Sequence, residues 1–326
     1  MLQIKKEIPC SITHSLKPDS FFLALDTTGF QAEVSAISMI GIAIPVDHQT
    51  ITIYQWFNEN GMEQQEILSS FFQYIKHKKY VITYYGNRFA LPFLDKKSAE
   101  YGLSNPLSTI ISEDYYAIMR TMRPILGLPS CKQATIESYF QCKRTNPLVG
   151  KKLVKQYQTY VKNPNDAIKD ALLLHNQETL EILCSLTSIL SYQDLQNGKI
   201  HDCKIENVAN NYISFTFALP STLLKPMDYT KNYIQLHVIK HQGQLLIPVD
   251  PNGLVKHYYP NPKDYYYLPV EDYAIHKSLA SFVSNNYRQK ATLDTCYEKI
   301  SIQHPAFKKE PTLKQFLSDT LCYLFK

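Results

Sequence analysis

The sequence predicts an α/β domain with a mixed sheet flanked by helices, followed by a smaller, β-rich α+β domain. Three observations carry this expectation. Four apolar, β-prone runs lie between Phe21 and Tyr84, joined by short links and one helical segment. The stretch from about Tyr115 to Tyr192 then has a helical pattern. Composition shifts near Gln196-Asn197-Gly198, and short alternating runs follow. A chain of 326 residues has room for two domains of ordinary size, expected at 18–195 and 196–326.

Phe21 to Asp26 reads as a buried strand, and Ser38 to Ile44 is apolar enough for a second. Ile51 to Phe57 is β-branched and aromatic, a third. The links are short, so an antiparallel meander is expected. A helix follows near Met62–Ile75, with Ile67, Phe71, Phe72 and Ile75 on one face at helical spacing. Tyr80 to Tyr84 is a fourth strand, and a helix begins near Pro92. Ala171–Leu190 is the clearest helical segment of the next stretch. In the second domain, Tyr212–Phe217 and Tyr233–Val238 alternate, with Leu245–Pro248 as a hairpin partner. Helices are expected near Ala274–Val283 and Thr312–Leu324. The first of these has Asp272 as N-cap or first-turn acid and Ile275, Leu279 and Val283 inward, rather than His276 and Lys277 as acid-base groups.

The bulk composition excludes several classes. Apolar content of 44% and charge of 19% describe a folded globular chain. No run approaches 18 apolar residues, so no membrane span is expected, and the charged start Met1–Glu7 has no apolar stretch of a signal peptide behind it. The seven cysteines are scattered and form no CxxC, which points to reduced thiols in a cytoplasm rather than disulfides or a zinc site. Net charge is +5. Residues 138–165 carry Lys143, Arg144, Lys151, Lys152, Lys155 and Lys162 and no acid.

Three segments carry the chemistry. Ala24-Leu25-Asp26-Thr27-Thr28-Gly29-Phe30 closes the first strand. Residues i and i+2 of a strand share a face, so two carboxylates at 24 and 26 would share a divalent metal; here only Asp26 remains. The second segment, Tyr84-Tyr85-Gly86-Asn87-Arg88-Phe89-Ala90-Leu91-Pro92, follows the fourth strand. The third, His175-Asn176-Gln177-Glu178-Thr179, lies on a helix.

In spacing and order these three segments resemble the motifs of the YprB-like ribonuclease H-like family, within the DnaQ-like (DEDD) 3′-5′ exonucleases. The resemblance covers roughly residues 18–195. It implies a ribonuclease H-like exonuclease fold and a two-metal mechanism with four carboxylates, at positions 24, 26, 90 and 179. This chain has Ala24, Asp26, Ala90 and Thr179 there, with His175 in the place of the family histidine. Asp26 and His175 are thus the catalytic remnants, and Asp26 the one metal-ligand candidate. One acid does not hold two divalent ions, so loss of hydrolysis is expected and no cofactor. Mg²⁺ or Mn²⁺ enters only if activity persists through recruited ligands such as Asp114, Glu178 or Asp170.

The basic segment points to nucleic acid. Lys143, Arg144, Lys151, Lys152 and Lys155 are interleaved with Tyr139, Tyr157 and Tyr160, and Arg120 and Arg123 lie upstream. Cations neutralise phosphates and aromatic rings stack on bases. With Thr27 and Thr28 these residues form the candidate contact set for single-stranded DNA or RNA. Two other readings stay open: a solvated helix face for the cations, and a protein-interaction scaffold using the Tyr-rich C-terminal domain.

Overall fold

The computed structural model describes residues 1–146, 148, 150–209 and 211–326. Pro147 and Val149, inside the stretch read as helical, lie outside the described residues. The chain divides into two units, Met1–Ile189 and Leu190–Lys326.

The first unit holds a six-stranded sheet: β1 (Leu2–Pro9), β2 (Ser20–Thr27), β3 (Ile37–Pro45), β4 (Thr50–Phe57), β5 (Tyr80–Thr83) and β6 (Ile111–Asp114). The spatial order is β1-β4-β3-β2-β5-β6. The first four strands pair antiparallel, and β2-β5 and β5-β6 pair parallel. The sheet is therefore mixed. β1 begins well before residue 18 and has an alternating sequence, Leu-Gln-Ile-Lys-Lys-Glu-Ile-Pro, suited to an edge with one wet face. β6 is a short polar strand that periodicity does not reveal.

Helices cover both faces. α1 (Gln64–Ile75) and α2 (Ala90–Glu100) pack Ile67, Phe71, Phe93 and Leu94 against Phe21, Leu23, Ile40 and Trp56. Burial of each such large apolar side chain contributes about 1.5–3 kcal/mol. α3 (Tyr115–Met122) and α4 (Gln133–Tyr139) follow, then α5 (Lys151–Lys162) and α6 (Asp166–Ser185); α7 (Ile189–Gln196) begins at the last residue of this unit and otherwise belongs to the second. α5 and α6 place Tyr157, Tyr160, Leu172 and Leu173 on Met39 and Phe57, on the opposite face of the sheet. α6 starts earlier than the apolar pattern suggests because Asn165 caps it, its side chain accepting from the Ile168 N–H at 3.2 Å.

The second unit is mostly β. β7 (His201–Ala209), β8 (Tyr212–Ala218), β9 (Met227–Lys231), β10 (Ile234–Ile239) and β11 (Gln242–Pro248) form a sheet in the order β7-β8-β11-β10-β9. β12 (Leu254–Tyr258), β13 (Tyr265–Leu268), β14 (Tyr273–His276), β15 (Gln289–Lys290) and β16 (Tyr297–Ser301) build a two-stranded and a three-stranded sheet. α8 (Glu310–Leu324) closes the chain.

The helix expected at Ala274–Val283 is not formed. Tyr273–His276 is a strand paired with Tyr265–Leu268, and Lys277–Phe282 is a 3₁₀ helix. Asp272 is no helix cap: it sits at φ 56° in the turn between the two strands. Its carboxylate accepts from Tyr267 Oη and Tyr297 Oη and pairs with Lys299 at 2.7 Å. Leu279, expected inward, is exposed. The β-prone run Tyr-Ala-Ile-His finds a pairing partner, which overrides a weak helical period.

Candidate functional site

On β2, Ala24 and Asp26 point to the face covered by α6, whose residues His175, Thr179 and Leu183 form one stripe at intervals of four. Between them and the loops after β5 and α4 lies a cleft of about 820 Å³. Ala24, Asp26, Ala90, His175 and Thr179 all line it, so the structure brings the three sequence segments together at one place.

Glycines make two of these approaches possible. Ala24 is opposite Gly41 on β3, which in turn is opposite Gln55 on β4. A Cβ on Gly41 would overlap the Asn176 side chain. With no Cβ there, the Asn176 amide drops onto the sheet, accepts from Gln55 Nε2 at 3.1 Å and donates to Asp26 Oδ2 at 2.9 Å. Gly86 abuts the Thr83 side chain just as closely and so admits no larger residue in the loop after β5.

That loop is held from below by Asp114. Its carboxylate accepts the backbone N–H groups of Tyr85 (2.7 Å), Asn87 (3.1 Å) and Tyr116 (3.0 Å). Tyr85, at φ 66°, is thereby fixed in a left-handed turn that presents its ring to the cleft. Tyr85 meets the Tyr116 ring at 4.7 Å, and Phe30 meets Phe89 at 5.7 Å. Phe30 is 87% exposed. All four rings line the cleft.

Asp26 is one of two acids on the cleft wall; the other is Glu137. Burial raises the Asp26 carboxyl above its ordinary range, and His175, the Asn176 bond and Arg144 offset this only in part. His175 Nε2 stands 3.9 Å from Asp26 Oδ1, too far for a hydrogen bond. His175 Nδ1 has no hydrogen-bond partner among the described residues. Glu137 is engaged by Arg144, whose Nε donates to Oε2 at 2.8 Å and Nη2 to Oε1 at 2.6 Å. Arg144 Nη1 donates to Thr179 Oγ1 at 3.1 Å, and that hydroxyl donates to the His175 carbonyl at 2.9 Å. A guanidinium thus touches one of the positions where the resemblance places a metal carboxylate. Its own affinity for the proton is raised: burial works against the charge, but Glu137, Glu178 and Asp26 more than compensate.

The three acids considered as recruited ligands stand elsewhere. Asp114 is spent on the loop amides. Glu178 accepts from Thr145 N–H at 2.7 Å and from Asn146 N–H at 3.1 Å. Burial acts against the Glu178 carboxylate, yet these bonds and Arg144 leave its pKa below the usual value. Asp170 is exposed on α6, and none of the three lines the cleft. Among the described residues, no group of three or more His, Cys, Asp or Glu side chains could hold a metal ion.

The candidate contact set is only partly assembled. Arg120, Arg123 and Arg144 line the cleft, joined by Lys132, which the sequence pattern does not single out. Arg123 also braces the following turn, donating to the Leu128 and Pro129 carbonyls at 3.2 Å each. Lys143, Lys151, Lys152 and Lys155 are exposed and do not line the cleft. Thr27 and Thr28 shape the turn after β2, Thr27 Oγ1 donating to the Gly29 carbonyl and Thr28 Oγ1 accepting from the Ala36 N–H. Tyr157 and Tyr160, expected as stacking rings, are 3% and 4% exposed and belong to the core, where Tyr157 Oη donates to the Asn58 carbonyl at 2.8 Å. The rings that do face the cleft come from the loops after β2 and β5 and from the start of α3, and nothing in their spacing announces them together.

No helix is long and apolar enough to cross a membrane among the described residues. No curated protein sequence matches the chain. Several solved structures resemble it, two of them as follows, both at low identity. One is the family B DNA polymerase from the hyperthermophilic archaeon Pyrobaculum calidifontis, 11% identical, with a TM-score of 0.42 over 93% of this chain and 46% of the polymerase. The other is the zinc-bound form of an E. coli ExoI–ssDNA complex, 9% identical, with a TM-score of 0.30 over 94% of this chain and 73% of that one. The chain therefore spans less than half the length of the polymerase. A family model described as the RNase_H superfamily matches residues 21–191, the segment that runs from the second residue of β2 through α6 and holds every residue that lines the cleft. By that match the chain belongs to the RNase H superfamily.

Proposed function

We propose that the first unit is a YprB-like, DnaQ-like exonuclease-type domain that has lost its metal centre and holds single-stranded nucleic acid in its cleft without cutting it. The observation that carries this reading is Arg144, a partly buried cation in contact with Thr179 at the metal-carboxylate position. Its charge also acts on Asp26. A divalent ion there would meet a fixed positive charge and a single carboxylate, Asp26, one of whose oxygens already accepts from Asn176. The residues present do not fit a two-metal centre. Loss of groups that act as one catalytic unit costs on the order of 10⁴–10⁶ in rate.

What supports binding is the composition of the cleft wall. Four cations, Arg120, Arg123, Lys132 and Arg144, face two acids, Asp26 and Glu137. Phe30, Tyr85, Phe89 and Tyr116 add ring faces and edges beside them. A positive groove with aromatic platforms is the arrangement that binds single strands with little sequence preference. Direct contact with phosphates makes such binding strongly salt-dependent.

The test is a paired gel-shift and nuclease assay on one purified sample, with Mn²⁺ and with chelator. The expected result is salt-sensitive retention of single-stranded DNA or RNA, unchanged by chelator, with full-length strand recovered after incubation with Mn²⁺. Absence of any shift at low salt overturns the binding reading. Mn²⁺-dependent digestion that disappears on Asp26→Ala overturns the inactive one.

A further inference from the structure

The misfit between the cleft and a metal centre has a consequence for what end of a strand it accepts. We infer that Arg144 acts as a built-in cation in place of the metal ions, and that the cleft floor recognises a terminal phosphate monoester of a single strand. This inference rests on the nucleic-acid reading of the same cleft.

A guanidinium has five N–H groups. Arg144 uses one on Nε and one on Nη2 for Glu137, and one on Nη1 for Thr179. Two N–H groups, one on each Nη atom, have no partner among the described residues. Arg144 lines the cleft, and its side chain keeps 16% exposure. The pair with Glu137 does not consume the guanidinium; it fixes its plane. A planar fork fixed in this way, with one donor left on each arm, is suited to oxyanions, and phosphate is bound by Arg through parallel N–H···O contacts.

The floor also has the space. Ala24 and Ala90 stand where the resemblance places two carboxylates, so both side chains and the ions between them are replaced by volume. Arg144 lines the same cleft as these two small side chains, and the cleft volume of about 820 Å³ has room for a tetrahedral phosphate group. A monoester is favoured over an internal diester on charge, because it carries up to two negative charges against one. Asp26 opposes any anion, but one of its oxygens is tied by Asn176 and the wall holds four cations against two acids. Arg144 differs from the other three cations in having its position set by two side chains on different helices, Glu137 on α4 and Thr179 on α6.

The experiment measures affinity by fluorescence anisotropy, in chelator and at fixed low salt, for one labelled single strand in three forms: 3′-phosphorylated, 5′-phosphorylated and with hydroxyls at both ends. The expected result is that one phosphorylated form binds about ten- to a hundredfold more tightly than the hydroxyl form, the range that one or two charge-assisted hydrogen bonds carry. That preference is lost in Arg144→Gln combined with Glu137→Gln, where no buried carboxylate is left unpaired, and is reduced in Arg144→Lys, which keeps the charge but loses the fork. Equal affinity for all three forms, or a preference that survives the double variant, overturns the inference while leaving the nucleic-acid reading intact. Failure of all three strands to bind overturns both.

Discussion

The Asn176 side chain fills the space that a Cβ on Gly41 would occupy; such a Cβ would stand 2.8 Å from Asn176 Cγ and closer still to the amide oxygen. The amide has no freedom to retreat, because Gln55 and Asp26 hold its two ends. Gly41→Ala is therefore expected to destabilise the first unit by about 1–3 kcal/mol, the usual cost of forcing extra atoms into a packed site. Denaturant midpoints check this. The physical cause is tested by coupling: Asn176→Ala removes the overlap, so the double variant should fall well short of the sum of the single losses. Additive losses would mean that the overlap is not the cause.

Restoring the missing acids should not by itself restore a metal site. In Thr179→Asp the new carboxylate lies beside a guanidinium that now donates to the Thr179 hydroxyl, and an ion pair forms instead of a metal ligand. We expect the fourfold variant Ala24→Asp, Asp26→Glu, Ala90→Asp and Thr179→Asp to show no calorimetric Mn²⁺ binding. Adding Arg144→Ala with Glu137→Gln removes the competing cation without leaving a buried unpaired carboxylate. Only this sixfold variant should take up Mn²⁺. Uptake by the fourfold variant, with circular dichroism showing it folded, would mean that Arg144 is not the obstacle.

Much of this site is legible in the sequence because its parts have short periods. Ala24 and Asp26 are two apart on a strand, and His175 and Thr179 four apart on a helix. Arg144 is different. Its partners are Glu137, seven residues before it, and Thr179, 35 residues after it, and only the fold joins them. The basic segment misleads for a related reason. Its residues belong to a connecting loop and to α5, and the helical turn sends Tyr157 and Tyr160 into the core while Lys151, Lys152 and Lys155 remain outside. Asp272 resembles a helix cap in sequence because two of its three partners, Tyr297 and Lys299, lie more than 20 residues downstream and, with Tyr267, engage its carboxylate in a turn.

The division of cations between cleft and α5 predicts how binding responds to salt. For single strands, each phosphate that the protein no longer neutralises lowers the slope of log affinity against log salt by about 0.7. Arg120→Gln should lower the slope by about that amount, since Arg120 lines the cleft. The triple variant Lys151→Gln, Lys152→Gln, Lys155→Gln should lower it by less than this amount per charge removed. A larger effect per lysine than for Arg120 would move the strand path onto α5.

In the second unit, His257 sits between two carboxylates, with Nε2 3.0 Å from Asp319 Oδ2 and Nδ1 3.3 Å from Glu298 Oε1. Burial opposes the imidazolium, but the two acids outweigh it and raise the pKa from 6.5 to about 9. A pKa higher in the folded than in the unfolded chain means that folding takes up a proton. The stabilisation is fully present below about pH 6.5 and is lost as pH rises through about 9. Since one pKa unit corresponds to about 1.4 kcal/mol, the loss is on the order of 3 kcal/mol. Denaturant unfolding of the full chain between pH 6 and 10 should show it, followed by near-ultraviolet circular dichroism of the Tyr-rich second unit. His257→Gln is less stable than the parent at pH 6, and the gap closes toward pH 10, where the neutral imidazole no longer pairs with Asp319 and Glu298. A gap that stays constant across this range would show that His257 packs in the unit without carrying a charge there.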